Sequence, residues 1–239
     1  MSTNETAEIC EILKLSNLII SESQAEQLYD FYKLLIEKNR VMNLTAITEF
    51  DEVVKKHFAD SLSIVRDIHM EDEKSLIDIG TGAGFPGIPL KIVYPHINCV
   101  LVDSLGKRVE FLENVIRELG LERISAIHSR SEDLARDKKY REKFDLCTSR
   151  AVANLPVLSE YCLPFVELKG HFVAYKSGNI EDEVNNAKKA IHILGGEVEK
   201  LDTFEMYEMG RCFVVIKKTA HTPHTFPRKA GTPSKSPLI

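Results

Sequence analysis

The chain of 239 residues lacks any apolar run near the roughly 18–20 residues needed to span a bilayer, so no membrane-spanning helix is expected. Met1 to Glu11 carries Glu5, Glu8 and Glu11 and no base, the reverse of a secretory signal. The five cysteines, Cys10, Cys99, Cys147, Cys162 and Cys212, form no C-x-x-C pair. Such a scattered, odd set argues against a disulfide framework. Cys99, within Ile97-Asn98-Cys99-Val100-Leu101, reads as a small buried hydrophobe. Together these absences point to a cytoplasmic protein. No residue spacing suggests a metal site, no Tyr-x-x-x-Lys or other acid–base dyad presents itself, and no internal repeat is found. Surplus positive charge is missing too: the formal net charge is -5, so a nucleic-acid partner would have to be met by local basic patches.

What is present falls into three textures. Residues 1–72 read as a helical extension. Leu28, Phe31, Tyr32, Leu35 and Ile36 are spaced to lay one apolar stripe along a helix over Gln24 to Asn39, and Ser21 with Gln24 suits a capping box. A second helix is expected from Glu49 to about Ile68. Residues 73–218 alternate strands with helices, the pattern of a parallel sheet. Strands are expected at 75–79, 98–103, 124–128, 144–149 and 170–176, with helices at 86–93, 107–119, 155–165 and 180–194. Runs at 197–204 and 211–217 are close enough to close the sheet as a hairpin. Residues 219–239 are rich in proline, carry no acid and read as a basic arm without a regular element. The expected fold is α/β: a seven-stranded Rossmann-like sheet, mostly parallel, with a terminal antiparallel hairpin and an N-terminal helical extension.

The sharpest motif is Asp78-Ile79-Gly80-Thr81-Gly82-Ala83-Gly84-Phe85-Pro86-Gly87. It leaves a short apolar strand and opens a helix, the context in which a glycine-rich turn carries information. Gly80, Gly82 and Gly84 permit positive φ and let a ligand approach bare backbone. Asp103, at the end of the next strand, is placed to hydrogen-bond a ribose hydroxyl. Dinucleotide enzymes share these features, and a merely tight turn is also compatible with them. Two details favour S-adenosylmethionine (SAM): the D-x-G-x-G-x-G pattern is similar to the first motif of the seven-stranded SAM-dependent methyltransferases, and the closing hairpin resembles that fold. Ser131 and Glu132 follow the third strand, where they suit an adenine edge; for Glu132 the alternative is a charge favoured by a helix N-terminus. Arg150 ends the fourth strand, where a buried guanidinium needs a cofactor carboxylate, an RNA phosphate or a structural acid as partner.

Several separated segments resemble one family, the ribosomal RNA small-subunit methyltransferase G family, formerly called glucose-inhibited division protein B. They are Asn43 to Ile47, Lys56 to Leu62, Asp78 to Pro89, Val102 to Leu105 with Lys107-Arg108, Ser149 to Ala153, and the tail from Phe226 to Pro233. The resemblance covers about residues 20–238 and implies N7 methylation of a guanine in a loop of 16S rRNA with SAM as donor. By the same resemblance Gly80, Phe85, Ser131, Glu132 and Arg150 occupy SAM-contact positions. Two departures are visible: Ser131 stands where alanine is common in the family, and Phe226 where tyrosine is frequent.

Guanine N7 carries a lone pair and no proton, so such a transfer needs positioning and no general base, and no catalytic residue is assigned. RNA, or the small ribosomal subunit, would be gripped by Lys55-Lys56-His57, Lys107-Arg108 and the tail with Arg228 and Lys229. Asn43 and Thr45 suit either a helix cap or a substrate contact. The lysines and arginines have an alternative as solvated helix surface, and His57 as a satisfied helix residue. Two rival classes stay open, a SAM enzyme acting on a protein or small molecule and a non-enzymatic RNA-binding assembly factor. A monomer is the default oligomeric state.

Overall fold

The computed structural model describes residues 4–150, 152–178 and 180–238. The start of the Met1-to-Glu11 reading, Ala151 in the Ser149-to-Ala153 segment and Ile239 of the tail lie outside the described residues.

Helix α1 (Asn4–Leu15) buries Ile9, Ile12 and Leu13, and α2 (Glu22–Met42) buries Ala25, Leu28, Phe31 and Leu35. Both arms of the capping box close: the Gln24 amide donates to Ser21 Oγ at 3.2 Å, and the Ser21 amide to Gln24 Oε1 at 2.8 Å. Asn43 ends α2 in the left-handed region (φ 47, ψ 55), a conformation asparagine tolerates well. Residues 50–66 are helical throughout, as the sequence suggests, but not regular. The run is α3 (Phe50–Val53), a π-helical stretch (Val54–Ala59), α4 (Asp60–Leu62) and a 3-10 turn (Ser63–Arg66). The π stretch carries Lys55, Lys56 and His57, and π insertions frequently mark functional sites.

The strands are β1 (Ser75–Ile79), β2 (Asn98–Asp103), β3 (Ile124–His128), β4 (Phe144–Arg150), β5 (Val166–Lys176), β6 (Gly196–Met206) and β7 (Met209–Lys218). They form one sheet in the order β3-β2-β1-β4-β5-β7-β6, parallel except for β7, which runs antiparallel to both neighbours. The connections are α5 (Gly87–Val93), α6 (Gly106–Glu118), the short α7 (Ser131–Leu134), α8 (Leu155–Cys162) with a 3-10 turn to Phe165, and α9 (Glu181–Ile193). The hairpin turns on Tyr207 and Glu208, both at positive φ, without a glycine. Strand β5 starts at Val166, four residues before the expected Gly170. It reaches β4 through a register shift, and Gly170 lies where a Cβ would sit 2.5 Å from the Asp145 carbonyl.

Alternate strand residues face opposite layers. Leu76, Cys99, Leu101, Val173 and Phe213 join α1, α2, the 50–66 run, α5 and α6 in one core. Ile77, Val102, Cys147, Phe172 and Val214 join α8 and α9 in the other. The N-terminal helices thus share the sheet's own core, with Phe31 and Phe58 fully buried beside Phe85. Burying each such ring is worth roughly 1.5–3 kcal/mol. No helix among the described residues is long and apolar enough to cross a membrane.

The tail departs from expectation. It contains a short helix, α10 (Thr232–Lys235), and buries Thr222, Pro227 and Pro233. It lies against the body because Arg141 donates to the carbonyls of Thr222, Pro223 and Phe226, and Arg136 to that of Pro227.

Candidate functional site

Strand order reverses between β1 and β4, and such a switch point leaves a crevice outside the carboxyl ends of the strands. A cavity of about 390 Å³ opens there, lined by the glycine turn with Thr45, His57, Phe85, Asp103, Arg108 and Arg150. A second, about 230 Å³, runs on past Gly80, Asp103, Ser104 and Val152, which line both, to Ser131, Glu132, Tyr161 and Ser234.

All three turn glycines have positive φ (69, 61 and 98 for Gly80, Gly82 and Gly84), yet their missing side chains do different things. A Cβ on Gly82 would meet nothing within 4 Å; it would project into open space. One on Gly80 would fall 2.4 Å from Val152 Cγ2, and one on Gly84 would strike Ile88 Cγ1 at 2.6 Å and Leu112 Cδ2 at 3.0 Å. Only Gly82 therefore offers bare backbone to open space, whereas Gly84 lets α5 and α6 pack. Below the turn, Asp78 is fully buried; it accepts from the Gly87 amide at 3.0 Å and the Thr148 hydroxyl at 3.1 Å. Burial pushes its pKa up to about 6, against the pull of those donors. Its work is to fix the turn's exit into α5. Asp103 bridges β2 and the turn, accepting from the amides of Gly82 (3.0 Å) and Leu105 (2.9 Å), with Arg108 at 3.4 Å.

Phe85 is 4 % exposed and does not fill the cavity. Its ring packs against Phe31 and stacks on His57 with centroids 4.5 Å apart, while the Arg150 guanidinium lies 5.0 Å from its centroid. Arg150 finds a structural acid: Nη1 donates to Asp60 Oδ2 at 2.8 Å, and Arg211 Nε lies 2.7 Å from Asp60 Oδ1. Arg150 Nη2 also reaches His57 Nδ1 at 3.3 Å. A guanidinium only donates, so Nδ1 accepts, and the proton of the neutral ring sits on Nε2, facing Thr45 Oγ1 at 2.8 Å. Burial first, then the charge of Arg150, pushes the His57 pKa down to about 3. Both ring nitrogens are thus engaged.

The remaining candidates scatter. Lys56 pairs with Glu52 at i,i+4 and lines a neighbouring cavity of about 490 Å³, together with His57, Asp60, Arg150, Lys176 and Arg211. Asn43 caps α2 at the outer rim, where it lines a cavity together with Leu105 and Lys107. The Ser131 hydroxyl donates to the Tyr161 carbonyl at 2.6 Å, and Glu132 Oε1 accepts the Gly231 amide at 2.8 Å. Arg228 grips Glu160, leaving Lys229 exposed beside it. Sequence reasoning missed Asp60, Arg211, Tyr161 and Ser234. Asp60 alone left a signal, an acid three residues after His57 and so on the same face of a helix.

An open sheet of this order with its last strand reversed, and a crevice at the switch point, defines the Rossmann-like methyltransferase fold. The crystal structure of P. horikoshii TYW2 in complex with MeSAdo shares it, with a TM-score of 0.53 over 67% of this chain and 62% of that one at 14% identity. At the sequence level, the family described as rRNA small subunit methyltransferase G matches residues 24–209. The protein of that name from Brevibacillus brevis is 47% identical over 97% of this chain and 98% of its own length. The one from Desulforamulus reducens is 50% identical over 92% of each. The chain belongs to the rRNA small subunit methyltransferase G family.

The crevice fits SAM. It offers bare backbone at Gly82, a carboxylate at the tip of β2, and a continuous channel toward Glu132.

Proposed function

We propose that this protein transfers the methyl group of SAM to N7 of a guanine in 16S rRNA. The observation that carries the reading is the continuous crevice over β1, β2 and β4, in which Gly82 alone of the turn glycines faces open space beside Asp103. In it, Gly80, Gly82 and Gly84 shape the turn that would carry the donor, Asp103 would hold its ribose, and Ser131 and Glu132 would serve its adenine end. Phe85 would form the apolar floor, and Arg150 would stand beside it as a cation of the wall. SAM supplies an electrophilic methyl carbon on a sulfonium.

The chain's contribution is to position. N7 has a free lone pair, so no side chain has to remove a proton, and His57, with both nitrogens engaged, offers no free base. Asp60 locks Arg150 and Arg211 from below, which fixes the wall between the donor cavity and the cavity lined by Lys56, Lys176 and Arg211. We assign this cavity of about 490 Å³ to the target nucleotide, with Lys56 and His57 on its wall and Asn43 at the outer rim toward the RNA. Basic side chains there meet phosphate despite the net charge of -5. Because Arg228 is spent on Glu160, the tail's outward charge comes from Lys229 and Lys235. Catalysis is placed in the cytoplasm, on a monomer; the five free thiols suit a reducing compartment.

The test compares 16S rRNA from a strain lacking the gene with rRNA from its parent, by strand cleavage at 7-methylguanosine, and adds back the purified protein with SAM. One cleavage site should vanish and return. An unchanged pattern, or a methyl group recovered at another guanine atom, refutes the assignment.

A further inference from the structure

The end of the chain packs back over α7 and α8, from the loop before β4 to the first turn of α7. After β7, residues 219–238 are held by Arg141 and Arg136 through backbone carbonyls. The segment is then anchored at Glu160, a wholly buried carboxylate of α8. Arg228 donates to it from Nε (3.0 and 3.1 Å), Nη2 (2.6 Å) and its own backbone amide (2.7 Å). Three residues on, Gly231 takes φ +81, which turns its amide onto Glu132 Oε1 at 2.8 Å. Ser234 Oγ then meets Tyr161 Oη at 2.7 Å. Glu132, Tyr161 and Ser234 all line the inner part of the crevice. Two of the segment's polar contacts, at Glu132 and Tyr161, therefore fall at the donor cleft, even though residues 219–238 contain no acid and would suit a polyanion.

We propose that this strap is a component of the donor site. Ser234 completes its far wall, the Gly231 amide seats Glu132, and Arg228 is the positioning residue that holds both there. This rests on the donor reading of the crevice. The anchor is strong because a buried carboxylate stripped of its only bidentate partner is left charged and unpaired, which the fold relieves by releasing the strap. Losing the strap frees the Glu132 carboxylate and removes the hydroxyl opposite Tyr161, so the larger loss falls on SAM, with a smaller one on RNA from the displaced Lys229 and Lys235.

The experiment measures methyl transfer by the full-length chain carrying Arg228→Ala and Arg228→Lys. Arg228→Ala should raise KM for SAM by about tenfold or more, with kcat at saturating SAM unchanged and KM for RNA raised by no more than about two- to threefold. Arg228→Lys should recover part of the loss. If Arg228→Ala does not fold, Arg228→Met combined with Glu160→Gln removes both charges and should show the same split. Binding linkage is reciprocal, so in the wild-type chain SAM should slow amide exchange at residues 231–235. A variant whose KM rises for RNA alone, or exchange at 231–235 indifferent to SAM, overturns the proposal. A wild-type chain that fails to bind SAM at all would overturn the donor assignment itself, and this inference with it.

Discussion

Giving a side chain to Gly82 and to Gly84 should produce opposite failures. Gly82→Val places a branched side chain at φ +61, a left-handed conformation that costs an L-residue about 1–2 kcal/mol. Nothing lies within 4 Å of the new Cβ, so no overpacking is added. Against a typical stability of roughly 5–15 kcal/mol the variant stays folded. Its side chain stands in the crevice, however, and should weaken SAM binding by about 100-fold or more, equivalent to about 2.7 kcal/mol. Gly84→Val carries the same kind of strain at φ +98 and drives its Cβ into Ile88 and Leu112. Overpacking of that kind costs typically ~1–3 kcal/mol, so the total is about 2–5 kcal/mol of stability. Urea unfolding and calorimetric titration with SAM read the two quantities separately. A Gly82→Val protein that binds SAM like the parent would refute the claim that this backbone faces the donor. Equal loss of stability in the two variants would refute the packing argument.

Two further outcomes are expected. His57 has an ordinary pKa of 6.5 and a folded value of about 3, so between those pH values the unfolded chain binds the extra proton. Stability due to this residue is present above pH 6.5 and falls as the solution is acidified, by about 1.4 kcal/mol per pH unit. His57→Phe keeps a ring against Phe85 and should flatten the acid limb of the urea midpoint by that slope; parallel limbs in the two proteins would show that His57 is not buried neutral. Asp60→Ala leaves Arg150 and Arg211 sharing a buried site without their acid, at a cost of roughly 3–5 kcal/mol. A thermal scan showing a loss under ~1 kcal/mol would mean that the ion pair is solvated and no lock.

Much of the framework was legible because it rests on local periodicity. The alternation of short apolar runs with helical stripes located all seven strands, and Ser21 with Gln24 announced the start of α2. What escaped reading is tertiary. Asp60 and Arg150 meet across ninety residues, and nothing in either neighbourhood says which acid a strand-end arginine will find. The π stretch at Val54–Ala59 leaves no mark in its own composition, and its Phe58 ring packs beside Phe85, far along the chain. The tail looked structureless since it lacks an amphipathic stripe; its order comes from hydrogen bonds to Arg136, Arg141 and Glu160, all more than sixty residues away. The glycines were found but looked equivalent, and only the surrounding side chains distinguish a ligand-facing position from a packing one.

Having the far wall of the cleft built by residues 228–234 has a consequence for biosynthesis. Translation is vectorial, and earlier parts of a domain emerge and collapse before later ones. A nascent polypeptide that has released everything through β7 already owns its glycine turn and both layers of core, but not the pieces that seat Glu132 and Tyr161. Full donor affinity is therefore acquired only once residues 228–234 have also emerged, and a polypeptide cut just after β7 keeps its core but has a half-built pocket.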